Sequence, residues 1–407
     1  MTSLDALAER AAAFVDDAAL LSLLQRMIRF RSYSAGGEEG EIARFMQQHC
    51  RSLGLDSALQ EVQTGRFNVI STLKGKGGGR SLMFNGHLDT NPAGEGWTKD
   101  PLGGVVDDKF IYGIGVSNMK AGDACFVAAV SAVKGADIPL RGDVLIAHVI
   151  GELQGGVGTV HLVKSGIRAD RFIVGEPTDN QCLTMHAGSI EIELTILGKT
   201  RHLSKLEEAV DAIEIGYEAM QVLKSMTFTG PDTPDHRSVR RVGIGVIRGG
   251  LGATFEDWRP SLIADRCTIK FSARFSVGQT PETVLSDIRG EMENLKSKHP
   301  GMDYKLVFNA GGQRLFMGPF AVDRNADIVQ AVADAHRRVT NSEPAIGPIG
   351  PGRFYGTDAA HLADAGMTGL VYGPGGRYNT MPDERVDLVD LYACARVYAR
   401  AIVAICG

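Results

Sequence analysis

The stretch that decides the fold runs from Gly86 to Gly122 and reads GHLDTNPAGEGWTKDPLGGVVDDKFIYGIGVSNMKAG. It follows the apolar run Ser81–Phe84, which is typical of a short buried strand. His87 and Asp89 stand where that strand is predicted to end, spaced one residue apart. An imidazole at a strand end suits a metal ligand, and a nearby carboxylate can fix its tautomer. Such a pair alone is more often a surface hydrogen bond, so the prediction depends on the rest of the chain.

Two further apolar runs also end in polar turns. Residues 144–150 form a continuous apolar run, typical of a strand buried on both faces, and GELQGG follows at 151–156. Residues 171–174 indicate another short strand, and GEPT follows at 175–178. A helical pattern over residues 121–133 precedes both strands. Strands that alternate with helices, with polar residues at the strand ends, predict an α/β fold with its site at the carboxyl edge of the sheet.

The pattern changes in the middle of the chain. Residues 190–197 alternate apolar with polar positions, and further strands and helices follow, which indicates an α+β unit inserted into the first domain. We therefore predict a first domain made of residues 1–187 and 313–407, split by an inserted domain at 188–312. A helix over residues 387–405 closes the chain.

Composition excludes several classes of protein. The 407 residues are 44% hydrophobic and 22% charged, which is ordinary for a globular protein with two domains. A net charge of -5 and a pI near 6.1 argue against a nucleic-acid partner. The sequence has no apolar run long enough to span a membrane and no secretory signal. Six scattered cysteines without a Cys-x-x-Cys pair fit reduced core thiols, so we expect a cytoplasmic protein.

Four groups of residues in the opening stretch come in an order that matches a known signature. They are His87-x-Asp89, Gly94-x-Gly96-Trp97, Asp100-Pro101-Leu102 and Tyr112-Gly113-x-Gly115-x-x-Asn118-Met119-Lys120. This arrangement resembles the signature of the aminoacylase, carboxypeptidase G and succinyl-diaminopimelate desuccinylase family of metallohydrolases. The resemblance covers nearly the whole chain. It implies a mixed-sheet α/β/α catalytic domain with an inserted α+β lid, or dimerisation, domain, and hence a homodimer or higher oligomer.

The resemblance also implies metal ligands. In the family, one metal is held by the His of His-x-Asp, by an Asp that bridges two metals, and by an acidic residue in a Gly-Glu-Pro-Thr-like turn. The corresponding residues in this chain are His87, Asn118 and Glu176, so an amide stands in place of the bridging carboxylate. Because ligand charge sets the binding energy, we expect weak affinity for the metal.

The second metal site of the family has lost its own ligands in this chain. Leu153 replaces a Glu, and Thr380 stands in place of a His, or Asn379 if the register slips by one residue. Leucine cannot bind a metal, and a hydroxyl or amide is a poor substitute for imidazole. We therefore expect one labile divalent ion, either Mn, Zn or Co.

The catalytic residues of the family have counterparts here. Glu152 matches the general base that takes a proton from water. His202, in the stretch Gly-Lys-Thr-Arg-His, matches a lid histidine that stabilises the oxyanion in a neighbouring subunit. Asp89 completes the catalytic set as the partner of the metal-binding imidazole.

Four residues near the C-terminus are candidates for binding the substrate. Arg353 and Arg377 lie in glycine-rich loops and could each form a bidentate pair with a carboxylate, although a solvated surface arginine is an equal alternative. Thr380 and Asn379 would line the pocket.

These residues predict a metal-dependent hydrolase that cleaves a C–N bond of a small anionic substrate. The best analogue in the family is an aromatic aminohydrolase that converts 5-nitroanthranilate to the hydroxy acid and ammonia. An ortho amino-carboxylate chelates a metal and could complete the weak site. The alternatives are an N-acyl amino acid amidohydrolase or dipeptidase with the same machinery, and a catalytically silent binding protein on this fold.

Overall fold

The computed structural model describes residues 3–256, 259–308 and 316–407. The chain divides into two compact units. We call Met1–His186 with Phe320–Gly407 the split unit, and Ala187–Pro319 the inserted unit. The predicted division between 312 and 313 falls outside the described residues and stays a prediction.

The strands and helices of both units are numbered in chain order. In chain order, the strands are β1 Asp56–Gln63, β2 Arg66–Leu73, β3 Leu82–His87, β4 Phe110–Tyr112, β5 Val144–Val149, β6 Arg171–Val174, β7 Cys182–Leu183, β8 Met185–His186, β9 Gly188–Leu197, β10 Arg241–Gly250, β11 Arg266–Phe275, β12 Asp303–Phe308, β13 Phe320–Ala321, β14 Ile346–Gly347, β15 Thr368–Val371 and β16 Arg385–Asp387. The helices are α1 Ser3–Ala13, α2 Asp17–Ile28, α3 Gly40–Ser52, α4 Ala121–Gly135, α5 Val157–Lys164, α6 Ala212–Ser225, α7 Pro234–Val239, α8 Pro281–Lys298, α9 Asp327–Thr340, α10 Ala359–Asp364 and α11 Leu388–Cys406.

The split unit is built on a mixed sheet. Within the described residues this sheet has eight strands in the order β1-β2-β5-β3-β6-β15-β7-β14. The strands β5, β3, β6 and β15 are parallel neighbours, and β1 and β2 join one side as antiparallel strands. The carboxyl ends of β5, β3 and β6 therefore meet side by side at one edge.

Helices cover both faces of this sheet, because alternate residues of each strand point to opposite sides. Phe84 of β3 packs in a core with residues of α4, α9 and α11. Met83, its neighbour, packs on the other side with residues of α5 and α10. This confirms the predicted α/β/α layers, and the buried strands at 144–149 and 171–174 match the predicted apolar runs.

The inserted unit has its own sheet and core. Its strands are antiparallel in the order β10-β11-β9-β12. Ile190, Ile192, Leu194 and Ile196 of β9 are buried against α6 and α8, while the alternate glutamates point away. This period of two confirms the predicted α+β unit.

All six cysteines are buried free thiols. In the residues that the structure describes, none of the helices combines the length and apolar composition that a membrane span requires.

Candidate metal centre

Three buried side chains converge at the carboxyl edge of the large sheet. His87 ends β3, and Glu152 and Glu176 lie in the turns that follow β5 and β6. One ligand atom from each lies within 4.8 Å of the other two. The order β5-β3-β6 places these three strand ends next to each other, which is why residues distant in sequence meet.

The imidazole of His87 is held in one orientation. Its Nδ1 donates to the backbone carbonyl of Asp89 at 2.8 Å. Its Nε2 lies 2.9 Å from Asn118 Oδ1 and 3.3 Å from Glu176 Oε1. With the proton on Nδ1, the lone pair of Nε2 points at the place where these oxygens meet.

The protonation of His87 reflects the acids around it. Burial opposes a positive charge on the ring, but the carboxylate of Glu176, followed by those of Asp89 and Glu152, outweighs burial. The pKa of His87 is therefore raised well above its ordinary value when no cation is bound. A divalent ion would take the place of this proton as the compensating positive charge.

The carboxylate of Asp89 lies beside the imidazole and also binds a neighbouring turn. Its Oδ1 is 3.6 Å from His87 Nδ1. The carboxylate accepts from the backbone N–H groups of Glu152 and Leu153, each at 3.1 Å. These buried donors have no partner in a strand, so they need an acceptor at this turn. Asp89 thus links the end of β3 to the turn that carries Glu152.

Glu152 lies in a short turn of 3₁₀-helix, Glu152–Gln154. Gly151 before it and Gly155 after it have φ angles of 64° and 92°, a conformation that glycine adopts without strain. The residue is only 4% exposed. Burial, and then the charge of Glu176, raises the pKa of Glu152 well above its ordinary value. A carboxyl group with a raised pKa can both accept and release a proton near neutral pH.

Asn118 is fixed from behind by Glu384. The Glu384 carboxylate accepts from the backbone N–H groups of Ser117 at 2.8 Å and of Asn118 at 3.1 Å. Burial raises the pKa of Glu384 to about 7, although these donors oppose the shift. The amide oxygen of Asn118 therefore faces His87 from a rigid backbone.

This donor set fits a divalent metal. It offers one imidazole nitrogen, carboxylate oxygens and one amide oxygen, which first-row divalent ions accept. Two buried carboxylates at such short range repel each other and lose their hydration, so a cation among them is favoured. His87, Glu176 and Asn118 could hold the ion, with Glu152 beside it.

A cavity of about 220 Å³ opens beside this centre. Asn118, Leu153 and Thr380 all contribute to its wall. These are the three metal-ligand positions at which the chain departs from the family signature. The sequence comparison singled out each of them, but only the structure shows that they surround one space.

The two arginine candidates have different surroundings. Arg377 is bonded to Asp179 at 3.1 Å and Asp387 at 3.3 Å, and also to Asp390. Three carboxylates of the protein therefore occupy its guanidinium, which leaves it poorly placed to bind a substrate carboxylate. Arg353 is partly buried with its guanidinium 4.7 Å from the ring centroid of Phe354, and its Nε has no hydrogen-bond partner among the described residues.

The remaining candidates are Thr380, Asn379 and His202. Thr380 donates to the side chain of Asn379 at 2.9 Å, and of these two only Thr380 lines the cavity. His202 lies in the inserted unit, where it is exposed and its Nδ1 accepts from the backbone of Ser204 at 3.2 Å.

Sequence reasoning missed two residues of this site. Tyr355 donates to the carbonyl of Pro177 at 3.2 Å, and burial, followed by the charge of Glu176, raises its pKa. Asp358 is buried and accepts from Thr159 at 2.8 Å, and burial raises its pKa to about 6. Both lie in the glycine-rich segment that also carries Arg353. Their position in that segment was the signal that the sequence offered.

Comparisons with known proteins assign the chain to a family. The model of peptidase family M20/M25/M40 matches residues 83–404. The chain belongs to this family, and it is a metal-dependent hydrolase acting on C–N bonds.

Two curated relatives and one solved structure illustrate the similarity. The chain is 26% identical over 421 residues to N-formyl-4-amino-5-aminomethyl-2-methylpyrimidine deformylase of Bacillus subtilis, covering 95% of each protein. It is 29% identical over 353 residues to succinyl-diaminopimelate desuccinylase of Rhodospirillum centenum, covering 83% of this chain and 84% of the relative. The structure of aminopeptidase PepT from Bacillus cereus superimposes with a TM-score of 0.78 at 19% identity, covering 96% of this chain and 99% of that one. The fold of a catalytic domain with an inserted lid domain is therefore confirmed.

Proposed function

We propose that the protein is a one-metal hydrolase that replaces the amine of a small aromatic amino acid by hydroxyl, as in 5-nitroanthranilate. The observation that carries this proposal is the convergence of His87, Asn118 and Glu176 next to a space whose former ligand positions are Leu153 and Thr380. A divalent ion held by one imidazole, one amide and one carboxylate keeps net positive charge and open positions. A chelating amino-carboxylate is an anionic ligand that could neutralise this charge and occupy the open positions.

The metal is proposed to be a single labile Mn, Zn or Co ion. When bound, it would lower the pKa of water and withdraw electrons from a coordinated substrate group. All other tasks belong to side chains of the protein.

Glu152 performs the proton transfers in this proposal. Its buried carboxylate accepts a proton from the attacking water, whose oxygen forms a bond to the ring carbon. The C–N bond then breaks, and the proton passes to the departing amine, so that water and the aryl amine yield the hydroxy acid and ammonia. Asp89 keeps Glu152 in place through the two backbone N–H groups that it accepts from.

Two further residues are proposed to bind negatively charged groups of the substrate or of the reaction. Arg353 is the better of the two arginine candidates for a substrate carboxylate, because its guanidinium is not held by carboxylates as that of Arg377 is. His202 of a neighbouring subunit is proposed to stabilise developing negative charge, which requires at least a dimer.

A second candidate function is an amidohydrolase that removes an acyl group from an amine. It is favoured by the names of the two curated relatives, a deformylase and a desuccinylase. Water would attack the amide carbonyl, Glu152 would again move the proton, and the products would be a carboxylate and an amine.

Product analysis separates these functions. Metal-loaded protein is incubated with 5-nitroanthranilate, with an N-formyl amine and with an N-succinyl amine, and ammonia, formate and succinate are each quantified. Ammonia without formate or succinate supports the aminohydrolase, whereas formate or succinate release supports the amidohydrolase.

The Glu152→Gln variant is the control for both. It keeps the size of the side chain but removes its basicity, so turnover should fall by about 10²–10⁴-fold while metal content per chain is unchanged. Wild-type protein that carries the metal and turns over none of the three substrates would contradict both candidate functions.

A further inference from the structure

The cavity beside the metal centre has a wall of distinctive chemistry. Its apolar residues are Pro92, Trp97, Ile114, Leu153, Met381 and Pro382. Its polar side chains include Asn91, Asn118 and Thr380, with the carboxylates Glu95 and Glu384. Within the described residues, no lysine, arginine or histidine lines it. Such a cavity favours an uncharged apolar group over a carboxylate.

The size of the cavity limits its occupant. At about 220 Å³ it is smaller than the ~300–1,000 Å³ of pockets for drug-sized ligands. A single ring fits this range better than a peptide or a long acyl chain.

The replaced ligand positions explain why the space is apolar. Carboxylate and imidazole groups at positions 153 and 380 would hold a cation there, whereas Leu153 and Thr380 remove charge and leave volume. Asn118 lies both in the cavity wall and 2.9 Å from His87 Nε2, so this residue joins the cavity wall to the metal centre.

Hydrogen bonds join the two segments that form the rim of the cavity. Asp383 accepts from the backbone N–H of Thr98 at 2.9 Å, from its hydroxyl at 2.6 Å and from the N–H of Lys99 at 3.1 Å. These bonds join the segment that carries Trp97 to the segment that carries Met381. A rigid rim lowers the entropy that binding costs.

We propose that this cavity is the subsite for the aromatic ring of the substrate, with Trp97, Leu153 and Met381 as its apolar walls. The polar groups of the ring then face Asn118 and the metal centre. This subsite rests on the proposed function only in that the substrate is a small metal-binding molecule. Its apolar walls would determine the specificity of the enzyme for an aromatic ring.

Calorimetric titration with two inert carboxylates tests this subsite without any chemistry. Benzoate carries a ring and acetate does not, and both can bind a metal through the carboxylate. Metal-loaded wild-type protein should bind benzoate at least tenfold more tightly than acetate. Trp97→Ala and Leu153→Ala should each weaken benzoate by about tenfold and leave acetate affinity and metal content unchanged. Trp97→Phe should retain the preference because it keeps an aromatic wall.

The exposed Leu203→Ala variant is the matched control, since it removes the same side chain from the inserted unit and should change neither ligand. Equal benzoate affinity in wild type, Trp97→Ala and Leu153→Ala would overturn the subsite. This result is independent of ammonia release. Tighter binding of benzoate without ammonia release would retain the subsite and reject the aminohydrolase. Ammonia release without tighter binding of benzoate would retain the aminohydrolase and reject the subsite.

Discussion

At the scale of single residues, three substitutions define the site. Asn118, Leu153 and Thr380 could be identified from the sequence because each interrupts a motif that is otherwise intact. Their shared cavity could not be predicted, because it depends on how three distant segments fold. The same limit applies to Asp89, whose carboxylate bonds depend on the pairing of β3 with β5.

Restoring these residues should restore a second metal. In the variant Asn118→Asp, Leu153→Glu, Thr380→His, two carboxylates and an imidazole face the cavity, so bound metal should rise from about one to about two ions per chain. Elemental analysis after loading with Mn²⁺ or Zn²⁺ and brief desalting measures this.

Thr380→His alone provides the comparison for this triple variant. It adds one ligand without the carboxylates and should stay near one ion per chain. Two tightly held ions in the wild type would contradict the one-metal proposal itself.

At the scale of elements, a buried pair joins helix α4 to strand β5 behind the site. His148 Nδ1 lies 3.0 Å from Asp123 Oδ1, and both side chains are fully buried. Burial opposes charge on His148, but the Asp123 carboxylate outweighs it and raises the pKa of His148 to about 9. Helix α4 and strand β5 could each be predicted from the apolar pattern of the sequence, whereas the pairing of His148 with Asp123 depends on how the two elements pack.

This pair should make stability depend on pH. The pKa of His148 is higher in the folded state than the ordinary 6.5, so its stabilisation is complete below pH 6.5 and is lost as pH rises through 9. Between these values the free energy of unfolding should fall by about 1–3 kcal/mol more in the wild type than in Asp123→Asn. Urea unfolding of both proteins at several pH values measures the difference. Parallel curves over this range would show that the pair carries no such charge.

At the scale of the whole molecule, the chain combines a split unit and an inserted unit with its own core. The change from α/β alternation to an antiparallel pattern revealed this insertion in the sequence. The Trp97 segment and Asp383 meet across 285 residues, a link that no local pattern could predict.

Mixed subunits test whether His202 acts on a neighbouring chain. Neither Glu152→Gln nor His202→Ala homodimers should be active. After random exchange, half of the dimers are hybrids in which one site has both Glu152 and the histidine of the other chain. The mixture should recover about one quarter of wild-type activity. A mixture that stays inactive, although sedimentation shows hybrid dimers, would place His202 within its own subunit or outside catalysis.

The position of β15 between β6 and β7 has a consequence for the growing polypeptide. His87, Glu152 and Glu176 are all synthesised before the inserted unit, yet β15 follows that unit. The facing edges of β6 and β7 must therefore wait unpaired while the inserted unit and residues 320–367 are translated, and unpaired edges invite aggregation. The inserted unit can complete its own sheet in that interval. Slow translation through it would thus prolong the exposure of a nascent metal site that already has its ligands.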